Sequence, residues 1–364
     1  MKKKLFQNIY KRFIYSLFKI FNGEIKGIIK LKADQDIFKV NFNNKFNYKI
    51  YICNESRLYT DTVHDTAFIK NDYLIEGPSF QFRENRIAKV ENNIVMDKGT
   101  PRFKKKLKGK VFSLLTGGGG NKNYYHWLFD VLPRLIILKQ KIDLENIDYF
   151  LFPRTDLRFQ KESLDLLGIP VSKRLSSQKF RHIHANQIIA VDHPCFILND
   201  PFKDPANTPD WIINFYKNEI KSKIHLKKNL KKIFIDREDS QSNIKNLRKI
   251  INIEEVKKFL VSKGFQSVKL SSHSFIDQIN IFHSADIIVG MHGAGFSNLL
   301  FSEPNTRVIE IKPTHVGDMY QKLGEKLGLN YFNLTSETQG KKYDFPNALG
   351  NIFVDLKELE KIIK

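Results

Sequence analysis

The sequence predicts an α/β protein of two domains. Its 364 residues exceed one ordinary compact domain and fit two of roughly 100 to 200 residues each. The second half alternates short apolar strands with helical segments, as a parallel sheet with crossover helices requires. A glycine run at 117–120 and a glycine-containing loop at 290–295 each follow an apolar strand. Because ligands of α/β sheets bind beyond the carboxyl ends of strands, both loops are candidate sites.

Residues 1–22 are the first expected element, a basic amphipathic helix. At ~100° per residue, bulky apolar side chains cover about half of its circumference and basic side chains lie on the other half. The apolar positions are Leu5, Phe6, Ile9, Tyr10, Phe13, Ile14, Leu17, Phe18 and Phe21, and the basic ones are Lys4, Lys11, Arg12 and Lys19. This pattern favours contact with an anionic bilayer interface. The alternative is a helix docked on the protein's own core.

The first domain is expected over residues 23–210. Short alternating strands and turns, including Tyr48 to Cys53 and Arg86 to Val95, predict a β-rich subdomain. An apolar strand, Lys110 to Leu115, then leads through four glycines into a helical stretch from Tyr124 to Lys139. A proline-rich passage marks a linker at the end of this domain.

Residues 211–345 are the expected second domain, which begins with the strand Lys232 to Asp236. A helix follows from Asn252, with Glu255 completing a capping box and Gly264 just past its end. The other expected elements are the strands Gln266 to Leu270, Ile287 to Val289, Arg307 to Ile311 and Asn330 to Leu334, a helix capped by Ser274, and a helix from Gly317 to Leu327. Residues 346–364 are expected to form a C-terminal helix that packs back.

The composition is strongly basic, which limits the classes of molecule that the protein is expected to bind. Lys and Arg number 60 against 39 Asp and Glu, which gives a formal charge of +21 and a pI near 9.6. Such a surface attracts nucleic acid, anionic lipid or phosphorylated substrates. No zinc-finger spacing, RNP-type aromatic strand or helix-turn-helix signal accompanies the charge, which disfavours nucleic acid. Many lysines, such as those within 217–232, lie on expected solvated helix faces, where solubility explains them equally well.

The two cysteines, Cys53 and Cys195, are far apart and have no metal-type or redox-type spacing. A disulfide framework is therefore not expected, and a reducing compartment is favoured. The apolar runs fall short of the ~18 residues of a spanning helix, and no secretory signal is visible. The expected location is the cytoplasm, peripheral to the inner face of the cell membrane.

The loop 290–295 is the first candidate ligand site. Its glycines let a phosphate approach backbone N–H groups at the start of the short helical stretch Phe296 to Leu300. Arg237 leaves the sheet on the same edge, where it can make a two-pronged contact with a phosphate. The alternatives are a tight turn with a buried His292, and a surface ion pair of Arg237 with Glu238 or Asp239.

The segment from Asn123 to Arg134 is the second candidate site. His126 and Asp130 are four residues apart and share a helical face, so the carboxylate can orient the imidazole and raise its basicity. This pair predicts a general base at the mouth of the four-glycine loop. A lone helical histidine is also common as a structural residue.

A zinc site is not expected. His182, His184, His193 and Cys195 have no pair with the spacing of a structural zinc site.

The segments Asn123 to Arg134 and Gly290 to Leu300, with Phe301 and the strand 307–310 after them, resemble glycosyltransferase family 61, especially its bacterial capsular-polysaccharide members. The likeness covers roughly residues 48–331. It implies a GT-B fold, with two Rossmann-like domains facing a cleft, the acceptor in the first and a nucleotide-sugar donor in the second. It also implies inversion at the anomeric carbon without an essential metal or cofactor.

The resemblance assigns roles to individual residues. His126 and Asp130 are implied to be catalytic. The implied donor-binding residues are Arg237, His292, Gly293, Ala294, Gly295, Asn298 and Glu310, and those of the acceptor cleft are Gly119, Gly120, Asn123, Tyr125 and Arg134. Many members carry Asn-Glu where this chain has Asn252 and Ile253, so no donor contact from that carboxylate is carried over.

The predicted function is therefore an inverting transfer of a sugar from a UDP-linked donor to a hydroxyl of a surface polysaccharide or lipid-linked glycan, beside an anionic membrane and without nucleic acid. The alternative is a non-catalytic, basic Rossmann-like protein that binds nucleic acid or anionic lipid. A nucleotide-dependent oxidoreductase is disfavoured because no dinucleotide glycine fingerprint with a following acidic residue occurs.

Overall fold

A computed structural model describes residues 2–22, 24–33, 35–43, 45–60, 65–83, 86–116, 122–195, 207–227, 230–237, 248–339 and 350–364. The chain divides into two compact units, Met1–Asp204 and Pro205–Lys364. Both combine helices with sheets, so the α/β class is confirmed.

The first unit begins with helix α1, Lys2–Asn22. Five of its large apolar side chains are exposed, from Leu17 at 37% to Phe6 at 74%: Phe6, Ile9, Tyr10, Phe13 and Leu17. Lys11 and Arg12 are exposed as well. Among the described residues, no helix is long and apolar enough to cross a membrane.

A large mixed sheet follows in the first unit. Its strands are β1 (Gly27–Ile29), β2 (Ile37–Phe42), β3 (Phe46–Tyr59), β4 (Asp65–Lys70), β5 (Tyr73–Ile75), β6 (Phe80–Arg83), β7 (Arg86–Ala88), β8 (Lys105–Ser113), β9 (Tyr149–Phe152), β10 (Arg174–Ser176) and β11 (His182–Val191). Its helices after α1 are α2 (Ile94–Lys98), α3 (Tyr124–His126), α4 (Arg134–Lys139) and α5 (Arg158–Leu166).

The strand order of this sheet is β1-β5-β4-β3-β11-β8-β9-β10, with β2 on β3 and β6 between β4 and β7. Strands β11, β8, β9 and β10 run parallel to their neighbours in that group, whereas β3 pairs with β11 in the antiparallel sense. The parallel group carries the helical connections. The β-rich part before it is antiparallel around β3, as its alternating pattern indicates.

Two local predictions in the first unit were wrong. Residues 86–95 do not form one strand, because Asn93 accepts a hydrogen bond at Oδ1 from the backbone N–H of Val95 (3.2 Å) and starts α2 there. The helical stretch 124–139 is also not continuous. It contains a π-helical turn, Trp127–Val131, and Pro133 then starts α4 without a backbone N–H to donate.

The second unit holds a parallel sheet within its described residues. Its strands are β12 (Lys232–Ile235), β13 (Gln266–Val268), β14 (Ile287–Met291), β15 (Arg307–Pro313) and β16 (Asn330–Ser336), with a separate pair β17 (Thr338–Gln339) and β18 (Asn351–Ile352). Its helices are α6 (Asp210–Phe215), which continues into a π turn (Tyr216–Ile220), α7 (Ile253–Ser262), α8 (Phe275–Ser284), a 3-10 helix (Ala294–Phe301), α9 (Met319–Lys326) and α10 (Leu356–Ile363).

The order of this sheet is β13-β12-β14-β15-β16, and every neighbouring pair is parallel. With β12 counted as the first strand, this is the doubly wound order 2-1-3-4-5. In this order the chain reverses its direction across the sheet between the first and third strands. Buried residues of β14, β15, α7 and α10 share one core, among them Val289, Ile309, Val256 and Leu359. The C-terminal helix therefore packs in the core of the second unit.

The predicted cap of α7 was wrong in its chemistry. Asn252 is the N-cap residue, but its side chain makes no cap hydrogen bond. Its amide instead donates to the carbonyl of Val354 (3.0 Å) and accepts from the N–H of Val354 (3.0 Å). Because the Asn252 side chain is hydrogen-bonded to the distant Val354, it is not used for the helix cap that the local sequence pattern predicts. The N-cap predicted at Ser274 is present, and Asp277 extends it to a capping box.

Candidate functional site

The first candidate site lies in the second unit, where the winding of the sheet reverses between β12 and β14. Arg237 lies just past the carboxyl end of β12, and residues 292–295 follow the carboxyl end of β14. Doubly wound sheets bind ligands in the crevice at this reversal. The strand order therefore brings together two segments that the sequence marked separately.

Glycines bring the backbone of this loop against Arg237. The guanidinium donates from Nη1 to the carbonyl of His292, and a Cβ placed on Gly293 would lie 2.8 Å from Arg237 Cζ. A Cβ on Gly295 would lie 2.8 Å from the side chain of Leu270. Both contacts are shorter than real Cβ atoms show, so a side chain at either position would require Arg237 or Leu270 to shift.

His292 is held by a buried carboxylate. Its Nδ1 donates to Oε1 of Glu310 (2.5 Å), and Lys312 Nζ lies 3.4 Å from Oε2 of the same carboxylate. Glu310 is fully buried on β15. Burial lowers the pKa of His292, and the charges of Arg248 and Lys312 add to this against the opposing effect of Glu310. The neutral ring therefore carries its proton on Nδ1 and presents Nε2 as an acceptor.

Arg248 is a basic residue of this site that the sequence did not mark. Among the described residues, its Nε and Nη1 are buried without a hydrogen-bond partner. Burial, with the charge of Arg237 next in size, lowers the pKa of Arg248 to about 10, while Tyr320 and Glu310 oppose the shift. The side chain thus stays cationic at neutral pH. No periodicity or glycine pattern flags it, because its position depends on the sheet order.

The remaining predicted donor-side residues support the loop. Ala294 begins the 3-10 helix after Gly293. Asn298 is fully buried, and its amide donates to Gln278 Oε1 (3.1 Å) and to the carbonyl of Gly295 (3.2 Å). Its contacts fix the shape of the loop. Glu238 and Asp239, the predicted ion partners of Arg237, lie outside the described residues.

The second candidate site lies in the first unit, beyond the carboxyl ends of the adjacent parallel strands β8 and β11. The segment that follows β8 carries His126 and Asp130, and the loop after β11 carries His193. Trp127 anchors the segment that carries His126 and Asp130. Its ring lies 5.7 Å from that of Phe152, and its Nε1 donates to Ser163 Oγ (2.9 Å). The tryptophan of the π turn thus packs against Phe152 of β9, and Asp130 lies about one helical turn after His126.

His126 and Asp130 form the predicted pair. His126 Nδ1 donates to Asp130 Oδ2 at 2.6 Å. The imidazole is 39% exposed, whereas the carboxylate is buried. Burial disfavours the charged imidazole, but the charge and hydrogen bond of Asp130 outweigh it and raise the pKa of His126. A proton on Nδ1 leaves Nε2 as the atom that can accept a proton.

Asp130 has a second imidazole beside it. His193 Nε2 lies 3.6 Å from Asp130 Oδ2, and His193 is itself buried. Burial alone would raise the pKa of Asp130, but the electrostatic interactions and hydrogen bonds of His193 and His126 lower it instead. His193 had been considered only as a zinc ligand in the sequence, where nothing relates it to Asp130.

The other residues predicted for this site have structural contacts. Asn123 caps α3 by accepting at Oδ1 from the N–H of Tyr125 (2.9 Å). The ring of Tyr125 stacks on Phe129 at 4.6 Å. Arg134 is 1% exposed and donates to the carbonyls of Asp130 (2.9 Å) and Val191 (3.1 Å). Gly119 and Gly120 lie outside the described residues.

Two of the histidines that the sequence analysis weighed for zinc, His182 and His184, lie at the start of β11 and not at this site. His182 Nδ1 contacts the carbonyl of Arg102 at 2.8 Å, and burial lowers the pKa of His182 to about 4. Over the described ranges, no three His, Cys, Asp or Glu side chains are grouped as metal ligands.

Comparison with known proteins finds one family whose match spans both of these segments. The sequence model described as Glycosyltransferase 61 matches residues 124–309, which is just over half of the chain and includes His126 and His292. The chain is also similar to vertebrate proteins named EGF domain-specific O-linked N-acetylglucosamine transferase. That of Xenopus laevis is 33% identical over 89 residues, 23% of this chain and 17% of that protein. That of Canis lupus familiaris is 32% identical over 109 residues, 29% of this chain and 20% of that protein.

The protein of that name from Mus musculus is 33% identical over 89 residues, again 17% of its length. The chain thus matches a fifth or less of the length of these curated relatives.

Proposed function

The chain belongs to glycosyltransferase family 61, and we propose that it is an inverting glycosyltransferase that uses a UDP-linked sugar. The observation that carries the proposal is the pair of sites, each beyond the carboxyl ends of parallel strands. One supplies buried guanidinium groups beside a glycine loop, and the other supplies an oriented imidazole. Transfer from a nucleotide sugar needs both kinds of group.

The second unit is proposed to bind the nucleotide. Arg237 and Arg248 supply positive charge for the diphosphate that leaves, and a hydrogen bond to a charged group typically contributes about 1.5 to 3 kcal/mol. The 3-10 helix begins at Ala294, directly after Gly293, so its first backbone N–H groups belong to the same loop. The neutral His292 is suited to accept a hydroxyl of the ribose or sugar at Nε2. Since two arginines carry the charge, the proposed reaction needs no metal ion.

The first unit is proposed to supply the base. His126 Nε2 takes the proton of the acceptor hydroxyl as its oxygen bonds to the anomeric carbon. The bond from that carbon to the diphosphate breaks, and its electron pair stays on the phosphate oxygen. Attack from the face opposite the leaving group inverts the anomeric configuration.

The proposed acceptor is a surface polysaccharide or lipid-linked glycan at the cytoplasmic face of a membrane. Its support is the resemblance to capsular-polysaccharide members and helix α1, which exposes aromatic side chains beside basic ones. The vertebrate relatives are named as N-acetylglucosamine transferases, which makes N-acetylglucosamine the first donor sugar to test.

A thermal-shift series tests the nucleotide site. A ligand at 100 times its Kd stabilises the folded state by about 2.7 kcal/mol, so UDP and UDP-N-acetylglucosamine should raise Tm. Arg248→Met should abolish the rise. Arg307→Lys is the matched control, because Arg307 donates to the carbonyl of Ile363 (2.9 Å) from the amino end of β15.

A parent protein whose Tm responds to no nucleoside diphosphate sugar would refute the proposal. Salt-sensitive binding of polynucleotide without nucleotide-sugar binding would support the non-catalytic alternative.

A further inference from the structure

His193 stands in a loop whose backbone is fixed on both sides. The hydroxyl of Tyr51 donates to Asp192 Oδ1 (2.9 Å), and that of Tyr48 donates to the carbonyl of Pro194 (2.8 Å). Both tyrosines belong to β3, which pairs with β11 along most of its length. The imidazole of His193 is therefore placed by the sheet before any substrate arrives.

The hydrogen bond that His193 accepts defines its proton. The backbone N–H of Cys195 donates to His193 Nδ1 at 3.2 Å, so Nδ1 must be unprotonated. The remaining ring proton is on Nε2, which faces Asp130 Oδ2 at 3.6 Å. Burial lowers the pKa of His193 despite Asp130, with the charges of Arg134 and His126 adding to the fall. The ring is thus a neutral N–H group directed at a carboxylate.

The Asp130 carboxylate consequently lies between two imidazoles of opposite tautomer. His126 donates from Nδ1 to Oδ2 at 2.6 Å, and His193 Nε2 lies 3.6 Å from the same oxygen. His126 is partly exposed and His193 is buried, so only the first can meet a substrate.

We propose that His193 is a positioning residue that holds the Asp130 carboxylate beneath His126, so that His126 keeps its proton on Nδ1 and presents Nε2 to the acceptor hydroxyl. The inference rests on the proposed glycosyl transfer, in which that hydroxyl proton moves to His126 Nε2. His193 itself exchanges no proton in the step.

Charged side chains surround the imidazole of His193. Asp130, His126 and Arg134 act on His193 directly. Asp192 and Cys195 act on Arg134, whose pKa burial lowers to about 10. Arg134 therefore stays cationic at neutral pH and, with the two histidines, favours the ionised form of Asp130.

Two substitutions separate the functions of the imidazole. In His193→Gln the amide N–H₂ occupies the place of Nε2 and can donate to Asp130. In His193→Asn the side chain reaches only the place of Nδ1, so it can accept from Cys195 but not reach Asp130. We expect His193→Asn to lower kcat by between about ten and a hundredfold with the donor KM unchanged, and His193→Gln to recover most of the loss.

The pH profile gives a readout that packing alone would not move. An N–H dipole stabilises the charge on Asp130, so its loss strengthens the pull of that carboxylate on the His126 proton. In His193→Asn the pKa of His126 should therefore rise, and the acid limb of kcat/KM should move to higher pH. His193→Gln should keep the parental limb.

Nitrogen-15 NMR of the histidine side chains tests the inference without any transfer assay. In the unmodified full-length chain, His193 should show the neutral form protonated at Nε2, and His126 the form protonated at Nδ1. In His193→Asn, the midpoint of the His126 titration should rise. If the parent shows these tautomers but transfers no sugar, the proposed function fails while the positioning contact stands.

Three results would overturn the inference: a proton on Nδ1 of His193, an unchanged or lower pKa of His126 in His193→Asn, or equal loss of kcat in both variants. Melting curves and UDP binding accompany each variant. If His193→Asn does not fold, the tautomer of the parent and the kcat of His193→Gln still decide the matter.

Discussion

At the scale of single residues, each of the two sites pairs a histidine with a buried carboxylate. The two histidines differ in how far they are buried. Glu310 and Asp130 each accept an Nδ1–H, from His292 and His126 respectively. The balance differs, because burial and nearby cations lower the pKa of His292 whereas Asp130 raises that of His126. The same pairing therefore favours a neutral acceptor in one unit and a basic group in the other.

We predict that His126→Ala lowers turnover by roughly a hundredfold or more, the usual scale for loss of a general base, with UDP binding near normal. His184→Ala is a matched control, since His184 lies 3.7 Å from Glu55 and away from Asp130. Steady-state kinetics with a natural acceptor measure both. Near-parental turnover of His126→Ala would make His126 structural, and Asp130 would be the next candidate base.

The pH dependence of kcat/KM carries a signed prediction. A base acts unprotonated, so the raised pKa of His126 should place the acid limb above the ordinary histidine value of about 6.5. Asp130→Asn removes the charge that raises this pKa, so the limb should move to lower pH. Maximal turnover should fall as well, because the imidazole loses the group that orients it. A limb that does not move in Asp130→Asn would contradict the assignment.

Gly293→Ala should weaken UDP binding by about tenfold or more while the protein stays folded. The new Cβ would lie 2.8 Å from Arg237 Cζ and force the guanidinium away, with loss of a charge-assisted contact. Gly317→Ala is the control, since nothing lies within 4 Å of a Cβ there. Equal UDP affinity of both variants by calorimetry would argue against a phosphate contact from Arg237.

His292→Ala should also weaken UDP binding, without a large fall in Tm. The loop shape depends on Asn298 and on the backbone of His292, which the substitution leaves in place. A variant that melts far below the parent yet binds UDP normally would identify His292 as a buried structural residue.

At the scale of elements, α1 differs from α2, α3, α4 and α5 in that several of its large apolar side chains are exposed among the described residues. Phe6, Tyr10 and Phe13 are each at least 60% exposed. Their neighbours Lys11 and Arg12 are exposed too. An aromatic surface with adjacent cations suits the headgroup region of an anionic bilayer.

Deletion of residues 1–22 should therefore leave a folded protein that no longer sediments with vesicles containing phosphatidylserine. Vesicles of phosphatidylcholine alone are the control, since they test the contribution of charge. Unfolding or aggregation of the shortened chain would instead place α1 in the core.

At the scale of the whole molecule, the proposed chemistry draws its positive charge from side chains of the second unit. Arg237 and Arg248 both act near the loop after β14. The +21 charge of the chain adds a long-range field that attracts anionic substrates.

Sugar transfer should consequently persist in excess EDTA. The two guanidinium groups stabilise the leaving diphosphate in the role that a divalent ion has elsewhere. The rate of product formation with and without chelator measures this. Loss of activity that manganese or magnesium restores would overturn the metal-free proposal.

What the sequence determined alone is local. The i, i+4 spacing of His126 and Asp130 and the strands of the second unit follow from periods of two and 3.6 residues, and the N-cap at Ser274 follows from its residue type at a helix start. Each is therefore readable within a short window. The glycine loop after β14 was located for the same reason. The local cap predicted at Asn252 failed because a distant segment competed for its side chain.

Only the tertiary structure decided which distant residues meet. The order of strands places Arg237 beside Gly293, and the parallel pairing of β8 with β11 places His193 beside Asp130. Neither contact has a sequence signature, because the partners are separated by 56 and 63 positions, far beyond any helical or strand period. Sheet order is set by the burial of whole faces and the handedness of crossovers, which are properties of the folded chain.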